Sequence, residues 1–220
     1  MMKKQVLAAG VVALAGLGAV APAAAEVTGN IGVASQYVFR GVVFGDPQVS
    51  GGIDYASDSG IYAGTWISSA AGEQEVDFYG GWATDVLDLG FIYYYFPDRF
   101  AGTANATEVY AGLNLSALSL YAYFAPAGFE GPDDDEYVYV SGDVSLPLIE
   151  KASLTLHVGV TEGLGDAYDG GESTFVDYGI TFGFGDLFIS ATATDFAQGA
   201  SDENEPTFTV GYGWSFDDIL

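Results

Sequence analysis

The sequence predicts an all-β fold: a transmembrane up-and-down antiparallel β-barrel of about 12 strands. Three observations carry this expectation. Segments in which apolar and polar residues alternate recur along the chain beyond residue 26. Short and long connections alternate between them. The apolar faces carry aromatic residues near both ends and no charge in between, the pattern of a barrel wall solvated by lipid.

The amino terminus is read first because it does not belong to the fold. Lys3 and Lys4 precede an uninterrupted small and apolar run, Val6 to Ala21, and Pro22 is followed by Ala23-Ala24-Ala25. A basic start, a short apolar core and small residues at its end describe a secretory signal peptide over residues 1–25, too short for a helical span. The barrel domain is then 26–220. Those 195 residues keep all 30 acids and three basic side chains, Arg40, Arg99 and Lys151, for a net charge of −27. Export followed by membrane strands predicts the outer membrane of a Gram-negative cell, with its lipid as the first partner.

Composition excludes several classes. An acidic chain with 15 Tyr, 15 Phe and 3 Trp is not a disordered acidic tail. Without cysteine there is neither a disulfide framework nor a thiolate metal site. Phosphate backbones repel such a surface, so no nucleic-acid partner is expected.

Twelve alternating segments follow in order: 27–40, 46–57, 60–69, 74–84, 87–97, 106–115, 118–126, 136–146, 152–162, 173–184, 187–196 and 207–216. The stretch from Val109 to Phe129 has no charge over 21 residues, yet its period is 2 in two registers joined at Ser116-Ala117. It therefore reads as a hairpin and not as a helical span. Short turns fall at Asp58-Ser59, Asp85-Val86, Ser116-Ala117, Pro147–Lys151 and Gly185-Asp186. Longer or more polar links fall at 41–45, 70–73, 98–105, 127–135, 163–172 and 197–206. In an antiparallel meander this alternation puts the short turns on one rim and the long loops on the other.

The alternation also assigns faces. Val27/Ile31/Val33/Tyr37/Phe39, Val76/Phe78/Trp82, Val138/Val140/Val144/Leu146, Leu154/Leu156/Val158/Val160 and Phe208/Val210/Tyr212/Trp214/Phe216 are expected toward lipid. Tyr55, Tyr62, Trp82, Phe184 and Phe216 would form one aromatic girdle, and Phe39, Tyr95, Phe124 and Phe208 the other. Facing inward are Arg40, Asp54, Glu75, Asp77, Glu108, Asp143, His157 and Asp177, the candidate pore lining. Six carboxylates against one guanidinium give a negative lumen, which favours cations. Tyr79, Tyr94, Tyr110, Tyr121, Tyr123, Tyr137 and Tyr139 share that face. Their rings either guide a small cationic solute or fill the interior.

An enzyme is not expected. His157 is the single histidine, it lies on a strand, and no G-x-S-x-G nucleophile motif is present. Nothing calls for a cofactor. The acidic runs Asp133-Asp134-Asp135-Glu136 and Asp202-Glu203/Glu205 fall in external loops, where weak divalent-cation contact competes with plain solvation; neither has the spacing of a calcium loop.

Tyr37-x-Phe39-Arg40-Gly41, Gly52-x-Asp54-Tyr55, Ser59-Gly60-x-Tyr62-x-Gly64-x-Trp66 and Glu75-Val76-Asp77-Phe78-Tyr79-Gly80 together resemble the TorF-type porins, an uncharacterised proteobacterial group. Where that group carries a polar Ser-Gln after Arg-Gly, this chain has Val42-Val43-Phe44. The resemblance implies an outer-membrane pore for small nitrogenous solutes such as trimethylamine N-oxide or ammonium, and it implies no catalytic residues. The combined expectation is a narrow, cation-preferring diffusion pore for small polar solutes, with Arg40 facing Glu75, Asp77 or Glu108 near the outer mouth. The competing expectation is a filled, non-conducting barrel with a structural or adhesive role played through its acidic loops.

Overall fold

The computed structural model describes residues 26–70, 73–97, 105–126, 136–163, 174–195 and 205–216. The proposed signal peptide and most of both acidic runs, 133–135 and 202–203, lie outside these residues. Among the described residues every regular element is a strand.

Two short strands, β2 (Tyr37–Phe39) and β3 (Val42–Gly45), form a sheet of their own. The other twelve close a barrel. They are β1 (Glu26–Ala34), β4 (Gln48–Ala56), β5 (Ile61–Ala70), β6 (Glu73–Ala83), β7 (Leu87–Tyr95) and β8 (Ala106–Leu115), then β9 (Leu118–Ala125), β10 (Tyr137–Ile149), β11 (Ala152–Gly163), β12 (Thr174–Phe184), β13 (Leu187–Thr194) and β14 (Thr207–Phe216). Each pairs antiparallel with its sequence neighbour, β1 with β4, and the seam closes where β1 meets β14 from Gly29↔Phe216 to Ala34↔Gly211. Closure leaves no unpaired strand edge, the condition under which strands can cross a bilayer.

The packing is inverted relative to a water-soluble protein. Ile31, Phe78, Phe91, Leu113, Val140, Val158, Ile180, Ile189, Val210 and Trp214 are exposed on the outside, while Glu75, Asp77, Asp88, Glu108 and Asp177 are buried. Between the turns and strand ends, the outward positions of the described strands carry no charge. A surface of this kind is stable only against hydrocarbon, where an Arg or Lys at the midplane costs about 2–4 kcal/mol and an acid somewhat less.

Three expectations are corrected. The segment 27–40 is not one strand: β1 ends at Ala34 and the chain folds back through β2 and β3 before β4 begins. Nine residues of β1 already span the bilayer core, so the alternation beyond Ser35 serves another element. Tyr37 is therefore buried and Phe39 lies inside the barrel, not against lipid. Tyr62 is likewise buried in the lumen, because Ile61 and Ile67 claim the outward face of β5. The turn placed at Pro147–Lys151 is tighter than expected: β10 runs to Ile149 through an irregularity after Pro147 and turns at Glu150-Lys151.

Candidate functional site: the luminal constriction

The β2–β3 hairpin is the element that shapes the lumen. Phe39 pairs with Val42 across a two-residue turn in which Arg40 (φ +49°) and Gly41 (φ +79°) are both left-handed. This is the turn geometry whose twist matches that of paired strands, and glycine adopts it at no steric cost. Gly41 is needed for a second reason. A Cβ there would lie 2.8 Å from Asp177 Cβ and 2.9 Å from Thr194 Cβ, so the tip rests directly on β12 and β13.

Arg40 points the other way. Its Nη2 lies 2.7 Å from Glu108 Oε1 and 3.0 Å from Oε2, on β8. The guanidinium carbon stands 4.0 Å from the Tyr139 ring centre, 4.6 Å from Phe39, 5.3 Å from Tyr123 and 5.6 Å from Tyr137. A buried guanidinium needs both a partner charge and hydrogen-bonding or polarisable surroundings to offset its desolvation. This one has both. The hairpin thus crosses the lumen, touching β8–β10 with Arg40 and β12–β13 with Gly41.

Nearly every luminal carboxylate is held by a tyrosine phenol. Tyr37 donates to Glu75 at 3.1 Å, Tyr94 to Glu108 at 2.9 Å, and Tyr137 to the second oxygen of Glu108. Burial first, then the charges of Glu75 and Asp77, push the Tyr37 phenol up, so it remains a donor. Tyr79 donates to Asp54, whose other oxygen accepts from Asn30 Nδ2 at 3.1 Å. Tyr62 (2.7 Å) and Tyr121 (3.2 Å) share Asp88, and the Tyr62 hydroxyl also meets that of Tyr110. Asp77 differs: it is fully buried beside Glu75, and neither of its oxygens has a hydrogen-bond partner of good geometry among the described residues.

His157 bridges two acids. Nδ1 lies 2.8 Å from Asp143, its cross-strand partner, and Nε2 lies 2.8 Å from Asp177, with the Tyr139 hydroxyl 3.1 Å away. Asp177 is also the residue on which Gly41 rests, so this bridge supports the seat of the hairpin.

The rings lie flat because glycines face them. A Cβ at Gly90 would come within 2.6 Å of the Tyr110 ring, and Gly64, Gly81, Gly112 and Gly159 stand in the same relation to Tyr79, Tyr62, Tyr121 and Tyr139. Tyr62, Tyr79, Tyr94, Tyr110, Tyr121, Tyr123 and Tyr139 consequently form one cluster with Ile92 along β5–β10. The opposite wall carries small polar residues: Thr155, Thr181, Thr192, Asn30 and Thr28 are only partly buried.

All eight residues read from the sequence as lumen-facing lie on the luminal side. Arg40 meets Glu108, with Glu75 and Asp77 nearby on β6; His157 joins Asp143 and Asp177; Asp54 stands apart near the short-turn rim. Asp88 was missed, although it shares the parity of Ile92 and Tyr94 on β7. The hairpin was missed because alternation alone does not say which sheet a strand joins.

A closed, lipid-facing barrel with a charged lumen and an inward-folded hairpin defines a transmembrane β-barrel of porin-like architecture. The chain belongs to the bacterial family described as a protein of unknown function, Gcw_chp, which it matches over residues 18–215. No curated protein matches the sequence. Among solved structures, the NanC porin in its rhombohedral crystal form is similar, with a TM-score of 0.54 at 11% identity over 85% of this chain and 97% of that one. A structure from work on in-meso crystallization of membrane proteins is also similar, with a TM-score of 0.53 at 10% identity over 87% and 83% of the two chains. At such identities the likeness is one of fold.

Proposed function

We propose that the protein is an outer-membrane porin of a Gram-negative cell, passing small polar solutes with a preference for cations. The observation that carries this reading is the luminal charge. Asp54, Glu75, Asp77, Asp88, Glu108, Asp143 and Asp177 face only Arg40 and His157 as basic groups among the described luminal residues. Lipid surrounds this excess on all sides, and a low-dielectric wall focuses the field into the lumen, raising cation and lowering anion occupancy. The partly buried Thr and Asn wall on β11, β12, β13 and β1 offers the passage, and the hairpin sets its narrowest point. The stretch 37–82 that resembles TorF-type porins supports the same reading. Residues 1–25 would direct export. No reaction is assigned to the lumen.

The test is single-channel recording of the refolded chain under a KCl gradient. Discrete steps with a reversal potential near that of K⁺ are expected. Anion preference would reject the role given to the carboxylates. One observation favours a second reading, a filled barrel: the hairpin tip touches both walls at once. Folded, inserted protein that stays silent, both as wild type and as Arg40→Ala, would establish that reading instead.

A further inference from the structure

The Arg40 guanidinium occupies a pocket built mainly by the barrel wall. Its acceptor, Glu108, is on β8; Tyr94 on β7 and Tyr137 on β10 hold that carboxylate by hydrogen bonds. The ring faces around the cation come from Tyr123 on β9 and Tyr137 and Tyr139 on β10. Only Phe39 is contributed by the hairpin itself. Withdrawing the hairpin would therefore leave the parts of a cage on the wall: one carboxylate, held by two phenols and walled by three aromatic faces. Such a combination recognises a soft, weakly hydrated organic cation better than a compact, strongly hydrated inorganic one.

We propose that this cage is a binding site for a small organic cation of the guanidinium type, and that Arg40 is its tethered internal occupant. The hairpin then stays seated because its own side chain fills the site, and an entering cation competes with it. The tether sets the terms of competition. A side chain on a short hairpin has an effective concentration on the order of millimolar, so a free solute displaces it only at comparable or higher concentration. The hairpin joins the barrel through short links, Ser35-Gln36 before β2 and Asp46-Pro47 after β3. The proposal deepens the cation-passing reading and rests on it for its physiological meaning, but the cage can be tested without conduction.

Methylguanidinium chloride is titrated, at constant ionic strength in KCl, into folded wild type, Arg40→Ala and Arg40→Ala/Glu108→Gln in detergent, with tyrosine NMR shifts as readout. Saturable binding is expected for Arg40→Ala, at least about tenfold weaker in wild type, and lost when Glu108 is also replaced. Equal binding by wild type and Arg40→Ala, or none by folded Arg40→Ala, would overturn the cage. If Arg40→Ala folds poorly, Arg40→Gln takes its place, and recovery of folded yield on adding methylguanidinium reads the same site; no recovery and no binding count against it. Bilayer recording of the same samples separates the two readings. Binding without conductance removes the porin and keeps the cage, whereas conductance without binding does the reverse.

Discussion

The two walls of the lumen face each other across one barrel and are built on opposite plans. Along β5–β10 the interior is tyrosine laid flat on glycine, and the hydroxyls of Tyr62, Tyr94, Tyr121 and Tyr137 are tied to the buried Asp88 and Glu108. Along β11–β14 and β1 the inward positions are mostly Gly, Ser, Thr and Asn, with two inward phenylalanines, Phe175 and Phe188. The first wall is a packed core in all but location. The second is a polar surface. The difference shows two ways of lining one barrel: large rings packed on glycine along one side, and small polar side chains along the other.

That contrast can be broken most severely at Glu108. Glu108→Ala removes the partner of Arg40 and the acceptor of Tyr94 and Tyr137 at once. Leaving a buried charge unpaired costs about 3–5 kcal/mol, read as a lower urea midpoint for the barrel in lipid vesicles. Tyr62→Phe tests the phenol ties one at a time. It takes one of two donors from Asp88 and is expected to cost about 1.5–3 kcal/mol in the same assay. The glycines sharpen the comparison directly. Gly112→Ala forces a methyl into the Tyr121 ring, at about 1–3 kcal/mol of overpacking. Gly183→Ala on the other wall meets only the Ser153 hydroxyl, which can rotate away, and should shift the midpoint by less than about 0.5 kcal/mol. The smallest effect belongs to Thr181→Ala, within about 0.5 kcal/mol of wild type. A large loss at Gly183 or Thr181 would show that the second wall is packed after all.

Most of the barrel was legible in the sequence because period 2 is a local property. Val109 to Ala125 could be divided into two strands from its own residues, and the pairing Val109↔Phe124 follows from the turn between them. What was illegible depends on partners remote in sequence. Tyr37 and Phe39 continue the apolar parity of β1, and nothing local announces that the chain leaves the sheet at Ser35. The Arg40-Gly41 pair, able to form a tight left-handed turn, was the available sign. Tyr62 was misplaced because an aromatic residue near a short turn suits a girdle, although Ile61 and Ile67 already fix the outward face. Asp88 could have been found by parity alone. Its contact with Tyr62 and Tyr121 could not, since those lie on strands that meet only when the barrel curves.

The position of the hairpin between β1 and β4 also bears on biogenesis. Arg40 must find Glu108, 68 residues further along, and Gly41 must find Asp177, while β1 waits for β14 at the far end of the chain. Contacts of such separation carry a large loop-closure cost and slow folding. The tip must therefore enter while the last strands are still being recruited, or be threaded in after the cylinder has shut. An early-emerging segment thus has its partners on strands that follow it in the chain, the Arg40 side on β8–β10 and the Gly41 side on β12–β13.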